Sequence, residues 1–240
     1  MSAAALRALH VPGDPLILPN AWDAGSARRV ELAGFPAVAT TSSGVAESLG
    51  YADGQQAPVG EMLAAVARVA RAVAVPVTAD IEAGYGLDDA ELAQRVVEAG
   101  AVGINLEDTD HPNHPALVPA DRHAARIARI KESADLVVNA RIDVHLRGGG
   151  TEEALERARA YRDAGADCLY PIGVTDEPTL AAFVELGVPV NALLLPSAPS
   201  IARLAELGIA RISLGGILYH ELVRAFDGRL SELAEQSATR

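Results

Sequence analysis

A short phrase recurs along this chain: an acid, one residue, a glycine, then an apolar run. It stands as EAGAVGI at Glu98, DAGADCL at Asp163, ELGVPVN at Glu185 and ELGIARI at Glu206, with ELAGFPAV at Glu31 as a looser copy. Glycine just past a helix end takes up the left-handed conformation that terminates the helix, so each copy reads as helix, stop, strand. Between copies the periodicity is helical, over 58–73, 88–99, 120–133 and 151–164. Asp88, Thr151 and Thr175 stand where N-caps belong, and acids follow in the next turns. The strands then fall near 16–18, 37–41, 75–80, 101–106, 135–140, 166–171, 188–192 and 210–214. A chain punctuated in this way is a succession of βα units, and such units build a parallel sheet.

Eight units in 240 residues match a (β/α)8 TIM barrel of parallel strands, one domain over 1–240. An open doubly wound sheet is the competitor, but it usually carries fewer strands and a glycine-rich nucleotide turn. AGYG at 83–86 lacks the G-x-G-x-x-G spacing and opens no such cradle. The chain is 50% hydrophobic but 4% aromatic, so the core is expected to be Ala, Val and Leu rather than rings. Thirty-two acids against twenty bases give a formal charge of -12, which opposes binding to nucleic acid or an anionic membrane. A small anion must therefore be met by local cations or a metal. No apolar run reaches the roughly 18 residues of a membrane span. The opening MSAAALRALHVPGD lacks the apolar core of a signal peptide, so a cytoplasmic protein is expected.

Barrel enzymes place their chemistry at the C-terminal ends of the strands. Here those ends deliver Trp22 and Asp23, Ser43 and Gly44, Asp80 and Glu82, Glu107 and Asp108, then Asn139, Arg141 and Asp143, followed by Tyr170, Asn191 and Ser213. Carboxylates without an interleaved Cys and His set favour a hard cation, Mg2+ or Mn2+, held partly through water. Arg141 offers a fixed bidentate partner for a carboxylate or phosphonate. Each residue also has a plainer reading: Asp80 and Glu82 as surface acids, Asp53 as part of a YADG turn, and Arg141 as the ion-pair partner of Asp143 or Glu107. Asp23 suits the first turn of a helix and Trp22 suits packing. His111 and His114 have H-x-x-H spacing in a Pro-rich loop, without the helix and glutamate of a zinc protease. Either would serve as a general acid if the loop closes over the site. His123 and His220 read as helical and structural, His145 follows the Arg141 strand, and the single Cys168 reads as a packed side chain within a strand.

With these residues in place the chain resembles the isocitrate lyase and phosphoenolpyruvate mutase superfamily, from about Leu16 to about Leu218. NAWDAGSAR is similar to that family's opening substrate segment, and TSSGVAESLGYAD to its Ser-Gly turn followed by an acid. TADIEAGYG resembles its Asp-x-Asp-x-Gly-x-Gly metal strand, INLEDT its Glu-Asp pair, and NARIDV its Ala-Arg-x-Asp strand. The resemblance implies that Asp80 ligates Mg2+ directly, while Asp53, Glu82 and Glu107 hold the metal's waters. It implies that the backbone amides of Ser43 and Gly44 receive the carboxylate of a 2-oxo acid and that Arg141 neutralises its remaining charge. The second acid of the metal strand is Glu82 here rather than the more usual Asp.

The departures narrow the chemistry. Lyases of this family carry Lys-(Lys/Arg)-Cys-Gly-His on a mobile loop after the Glu-Asp pair, whereas this chain reads EDTDHPNHPALVPAD. With Pro112 aligned to the family's loop proline, Asn113, His114 and Pro115 stand at the Lys, basic and Cys positions, and the thiol is absent. The expected activity is Mg2+-dependent cleavage or decarboxylation of a small 2-oxo or 2-hydroxy carboxylate through a stabilised enolate. The alternatives are phosphonopyruvate or phosphoenolpyruvate mutase-type or hydrolase chemistry, and a non-catalytic carboxylate binder. The segment GILYHELVRAFDGRLSELAEQ has apolar helical spacing. It reads as an eighth barrel helix, or, as the resemblance implies, a helix exchanged between subunits of a homo-oligomer, dimer or tetramer.

Overall fold

The computed structural model describes residues 1–113 and 116–238. Its strands are β1 (Leu16–Leu18), β2 (Asn20–Ala21), β3 (Val38–Thr40), β4 (Val77–Asp80), β5 (Gly103–Glu107), β6 (Val137–Ile142), β7 (Cys168–Pro171), β8 (Asn191–Leu193) and β9 (Arg211–Ser213). Strands β2 to β7 pair in chain order, and β1, β9 and β8 form a second group. Every one of these pairings is parallel. The groups meet twice: Leu169 bridges Val190, and only Pro19 separates β1 from β2. Proline has no N–H for the ladder, and at this point the first barrel strand leaves β9 for β3. Counting β1 and β2 as one strand, the circuit is that of a (β/α)8 barrel.

The helices are α1 (Ala3–Ala8), α2 (Ala24–Leu32), α3 (Ser42–Ser48), α4 (Val59–Ala72), α5 (Asp89–Glu98), α6 (Ala120–Ser133), α7 (Thr151–Asp163), α8 (Glu177–Val184), α9 (Ile201–Glu206) and α10 (Ile217–Ala238). The glycines of the recurring phrase, Gly34, Gly100, Gly165, Gly187 and Gly208, have φ between 74° and 94°. They are the left-handed stops that the sequence implies. Asp88 caps α5 by accepting from the N–H groups of Ala90 and Glu91. Thr151 and Thr175 are not caps: Gly150 precedes α7, and Asp176, a carboxylate placed three residues before the Thr179 N–H, caps α8 at 3.0 Å. Asp23 is the N-cap of α2 rather than part of its first turn, in a reciprocal box with Ser26.

Helix α1 closes the N-terminal end of the barrel. Ala3 and Leu6 pack on Leu16, Leu18, Ala37, Ala39 and Val137, and a Cβ on Gly103 would come within 2.8 Å of Leu6 Cδ2. The main apolar core lies outside the strands, where Ile104, Leu106, Val138 and Ala140 meet Leu92, Val96, Ile127, Ile130 and Tyr161 from the helices. Alternation along each strand turns the other side chains inward, and several of those are polar. Asn105 Oδ1 accepts from Asn139 Nδ2 at 2.7 Å and from Arg211 Nη2 at 3.1 Å, and Asn191 Nδ2 donates to Ser213 Oγ at 3.0 Å. Helix α10 differs from the others in burying no residue, and Leu222, Phe226, Leu230 and Leu233 are exposed along it. Among the described residues no helix is long and apolar enough to cross a membrane.

Candidate metal and substrate site

The C-terminal ends of β3 to β7 open into two adjoining cavities. One, about 220 Å³, is lined by Ser42, Ser43, Asp53, Asp80, Arg141 and Tyr170 among others. The second, about 400 Å³, is lined by Ser42, Asp53, Glu82, Glu107, His111, Arg141 and Arg147 among others. Ser42, Asp53 and Arg141 border both, so the sequence-expected acids converge on one mouth.

Asp80 ends β4, and its position is fixed from two sides. Its N–H donates to Thr40 Oγ1 at 2.9 Å, and its Oδ2 accepts the Ser42 N–H at 3.0 Å. Its other oxygen, Oδ1, is buried and has no hydrogen-bond partner among the described residues. Burial holds this carboxyl above the usual carboxylate range against the pull of Arg141 and the Ser42 hydrogen bond, and the charge of Asp53 adds to the rise. Glu82 is pushed up to about 7 by burial, with Asp80, Asp53 and Glu107 adding repulsion. Glu82, Glu107 and His111 each offer one atom within 4.8 Å of the others. A buried carboxylate oxygen beside Glu82, whose proton affinity is raised by burial and by the charges of nearby acids, belongs to a set that a hard cation completes. The residues present therefore fit a divalent metal.

Arg141 is held by the ladder of β6 and by its neighbours. Its Nε and Nη2 donate to the two oxygens of Asp143 at 2.7 and 3.1 Å, and its Nη1 pairs with Glu107 Oε2 at 2.6 Å. Asp143 is itself fixed from below. Its N–H donates to Asp108 Oδ1 at 2.8 Å, and Asp108 Oδ2 accepts the Tyr161 hydroxyl at 2.7 Å and Arg157 Nη1 at 3.1 Å. Asp108, fully buried, thus supports the arginine rather than facing the mouth. Burial, relieved in part by these donors, pushes its carboxyl up to about 6. His111, in a short 3-10 turn after β5, bonds Glu107 Oε1 through Nε2 at 2.5 Å. Burial lowers its proton affinity, but the Glu107 hydrogen bond and the charges of Glu107 and Glu82 outweigh it and leave it raised.

The remaining sequence candidates are spread from the mouth outward, with Ser43 at the smaller cavity. Ser43 and Gly44 lie in the first turn of α3, where N–H groups lack intrahelical acceptors. A Cβ on Gly44 would meet Thr41, Tyr219 and Trp22 at 2.8 to 3.2 Å. Trp22 and Asp23 line a separate cavity of about 400 Å³ with Arg29 and Leu218. There the Trp22 ring meets Tyr219 edge-on at 5.3 Å, and Asp23 accepts the Ser26 N–H at 2.6 Å. Asn191 is buried beneath the mouth on Ser213. His114 lies outside the described residues. Cys168 is buried, and its thiol is pushed up to about 12. Sequence reasoning passed over Arg147, which lines the larger cavity and donates to Thr109 Oγ1 at 3.1 Å. Its only signal was a place just past the Arg141 strand. It also passed over Gln55 and Tyr85, which bond to Glu82 or to each other.

A parallel barrel that gathers acids and an arginine at the C-terminal mouth has the site architecture of a barrel enzyme. A family model described as phosphoenolpyruvate phosphomutase matches residues 6–234, and the chain belongs to this family, within the superfamily of phosphoenolpyruvate mutases and isocitrate lyases. It is an enzyme superfamily of lyases and mutases. The chain is 38% identical over 217 residues to an uncharacterized protein of Mycobacterium tuberculosis (strain ATCC 25618 / H37Rv), covering 88% of this chain and 81% of that one. It is 30% identical over 215 residues to the 2-methylisocitrate lyase of Bacillus subtilis (strain 168), covering 86% and 68%. The solved structure of a 2,3-dimethylmalate lyase superposes with a TM-score of 0.88 at 29% identity, over 97% of this chain and 87% of that one.

Proposed function

We propose that this protein is a Mg2+-dependent lyase or decarboxylase that acts on a small 2-oxo or 2-hydroxy acid by breaking a carbon–carbon bond whose electron pair is left as an enolate. The observation that carries the reading is the buried Oδ1 of Asp80, unpartnered among the described residues, at a mouth shared by Asp53, Glu82, Glu107 and Arg141. Asp80 would hold the metal directly, with Asp53, Glu82 and Glu107 on its waters; Mn2+ would fit the same oxygens. Bound there, the cation would act as a Lewis acid toward the enolate oxygen that cleavage generates.

The chain's own residues would do the rest. Arg141, rigid on Asp143 and Glu107, presents fixed positive charge where the substrate's negative charge grows, so little reorganisation is required in the transition state. The N–H groups of Ser43 and Gly44 are assigned to the substrate carboxylate, and His111, on the loop side of the larger cavity, to the proton of the departing fragment. The similarity to 2-methylisocitrate and 2,3-dimethylmalate lyases supports carbon–carbon cleavage, and the match to the phosphoenolpyruvate phosphomutase model keeps phosphonate chemistry as the alternative. The exposed stripe on α10 supports a homo-oligomer assembled through that helix.

Calorimetry with oxalate, an enolate mimic, tests the site: binding is expected with Mg2+, and neither in EDTA nor in Asp80→Ala. A metal-dependent turnover scan of oxaloacetate, isocitrate, methylisocitrate, citramalate and phosphonopyruvate then tests the chemistry. Absence of both oxalate binding and turnover would refute the enzyme reading, and turnover of phosphonopyruvate alone would replace it with the mutase or hydrolase alternative.

A further inference from the structure

Among the described residues, three other than glycine have left-handed backbones, and all three meet at one point. Gln55 has φ 60°, Glu82 49° and Tyr85 56°. None is Asn or Asp, the types that adopt this conformation at least cost. Such strain persists only where the surroundings over-determine it, and here a closed ring of hydrogen bonds does so. The Gln55 N–H donates to Glu82 Oε2 at 2.6 Å, and the Tyr85 hydroxyl donates to Glu82 Oε1 at 2.7 Å. The Tyr85 N–H closes the ring on Gln55 Oε1. Both oxygens of Glu82 are therefore held, one by a segment 27 residues away in sequence.

We propose that Gln55 and Tyr85 are positioning residues: they form a latch that aims the Glu82 carboxylate and draws the turn carrying Asp53 into the mouth of the barrel. Glutamate has one more rotatable bond than aspartate, and fixing it at both oxygens removes that freedom before any ligand arrives. At its two ends the turn is anchored by Tyr51, whose N–H donates to the Ala46 carbonyl oxygen at 2.9 Å, and by the buried Ala57. Gln56 Nε2 bonds back to Gly54 within it, and Tyr51 reaches Glu61 at its edge. Held in place, Gly54 lies against the His111 ring, which a Cβ there would meet at 3.6 Å. That contact forms the wall between the acidic cavity and a neighbouring groove of about 570 Å³.

The proposal rests on the functional reading above for what Glu82 is aimed at, but the latch itself can be tested without metal. Two variants are expected to fold. Gln55→Gly adopts a left-handed backbone freely and keeps the N–H on Glu82, while removing the acceptor for Tyr85; Tyr85→Phe removes only the hydroxyl. Hydrogen exchange in EDTA reads the 51–58 amides, and the free Mn2+ signal in electron paramagnetic resonance reads metal affinity. Each variant is expected to exchange faster in this segment and to bind Mn2+ about tenfold more weakly, the effect of losing one hydrogen bond to a charged or strained group. Thermal midpoints should change little, and the double variant should fall short of the sum because the bonds form one ring. Unchanged exchange in both folded variants would overturn the latch. Faster exchange with unchanged Mn2+ affinity would overturn its positioning role. Wild-type protein that binds no Mn2+ would refute the metal reading, and with it that role, while the exchange data still decide whether the latch exists.

Discussion

Glu82→Gln is expected to stabilise the metal-free protein, and more so as the pH rises. Glu82 is 2% exposed, and burial with three neighbouring acids holds its carboxyl near 7 instead of 4.5. A folded-state value above the unfolded one means that stability is fully present below pH 4.5 and is lost as the pH rises through 7. The difference amounts to about 3 kcal/mol at pH 8. Glutamine removes the titrating charge while keeping an acceptor for the Gln55 N–H. Of that difference, somewhat under ~1 kcal/mol is already present at pH 5. Urea denaturation in EDTA at pH 5 and pH 8 should therefore show the stability difference between variant and wild type shifting toward the variant by about 2.5 kcal/mol, less where the amide fits the Tyr85 hydroxyl poorly. Comparing the two proteins cancels the buried His10 and His123, which titrate in both, whereas His111 loses the part of its raised proton affinity that the Glu82 charge supplies. Saturating Mg2+ should reverse the order at pH 8, because the cation favours the ionised carboxylate. Superimposable pH profiles in EDTA would refute the argument that this acid is held protonated by its surroundings.

Gly84→Ala should destabilise by about 2 kcal/mol or more, since its φ is 88° and a Cβ would meet Arg126 Nη2 and Leu92 Cδ2, both at 2.8 Å; a urea midpoint equal to wild type would contradict this. His123 is fully buried, and desolvation with the charges of Arg126 and Arg157 holds it down to about 3, so its share of stability is present above pH 6.5 and is lost as the pH falls toward 3. His123→Phe should flatten the acid limb of the stability curve, measured by denaturation from pH 7 to pH 4. Phe226→Asp, on the exposed face of α10, should shift the mass measured by light scattering from oligomer to monomer without changing the circular dichroism spectrum.

The strand ladder was legible because most strands lie in apolar runs close to a glycine or proline, and a left-handed glycine leaves a mark that no other residue obscures. The caps were less legible. Thr151 and Thr175 lost to Gly150 and Asp176 because several candidate cap residues stand in a row there, and backbone direction decides among them. Helix α1 escaped notice because six residues give too little periodicity, and its role depends on a gap at Gly103 that only the closed barrel creates. At the site, strand ends predicted that Asp80, Glu107 and Arg141 would share a mouth, since adjacent parallel strands end together. Trp22 and Asp23 show the limit of that logic: a residue can follow a strand and still turn outward, as Asp23 does to cap α2. The Gln55–Glu82–Tyr85 ring could not be read at all, because neither glutamine nor tyrosine advertises a positive φ.

The polar filling of the barrel has an evolutionary corollary. Cohesion here resides in the sleeve of aliphatic side chains between strands and helices, so the Asn105, Asn139, Asn191 and Arg211 network adds little to the apolar burial that keeps the chain folded. Inward positions near the mouth would therefore change as hydrogen-bonded sets rather than singly, because a buried polar partner left alone is costly, whereas the sleeve asks only for aliphatic bulk. A scaffold divided in this way can acquire a new specificity by exchanging a few hydrogen-bonding residues, without passing through an unfolded ancestor.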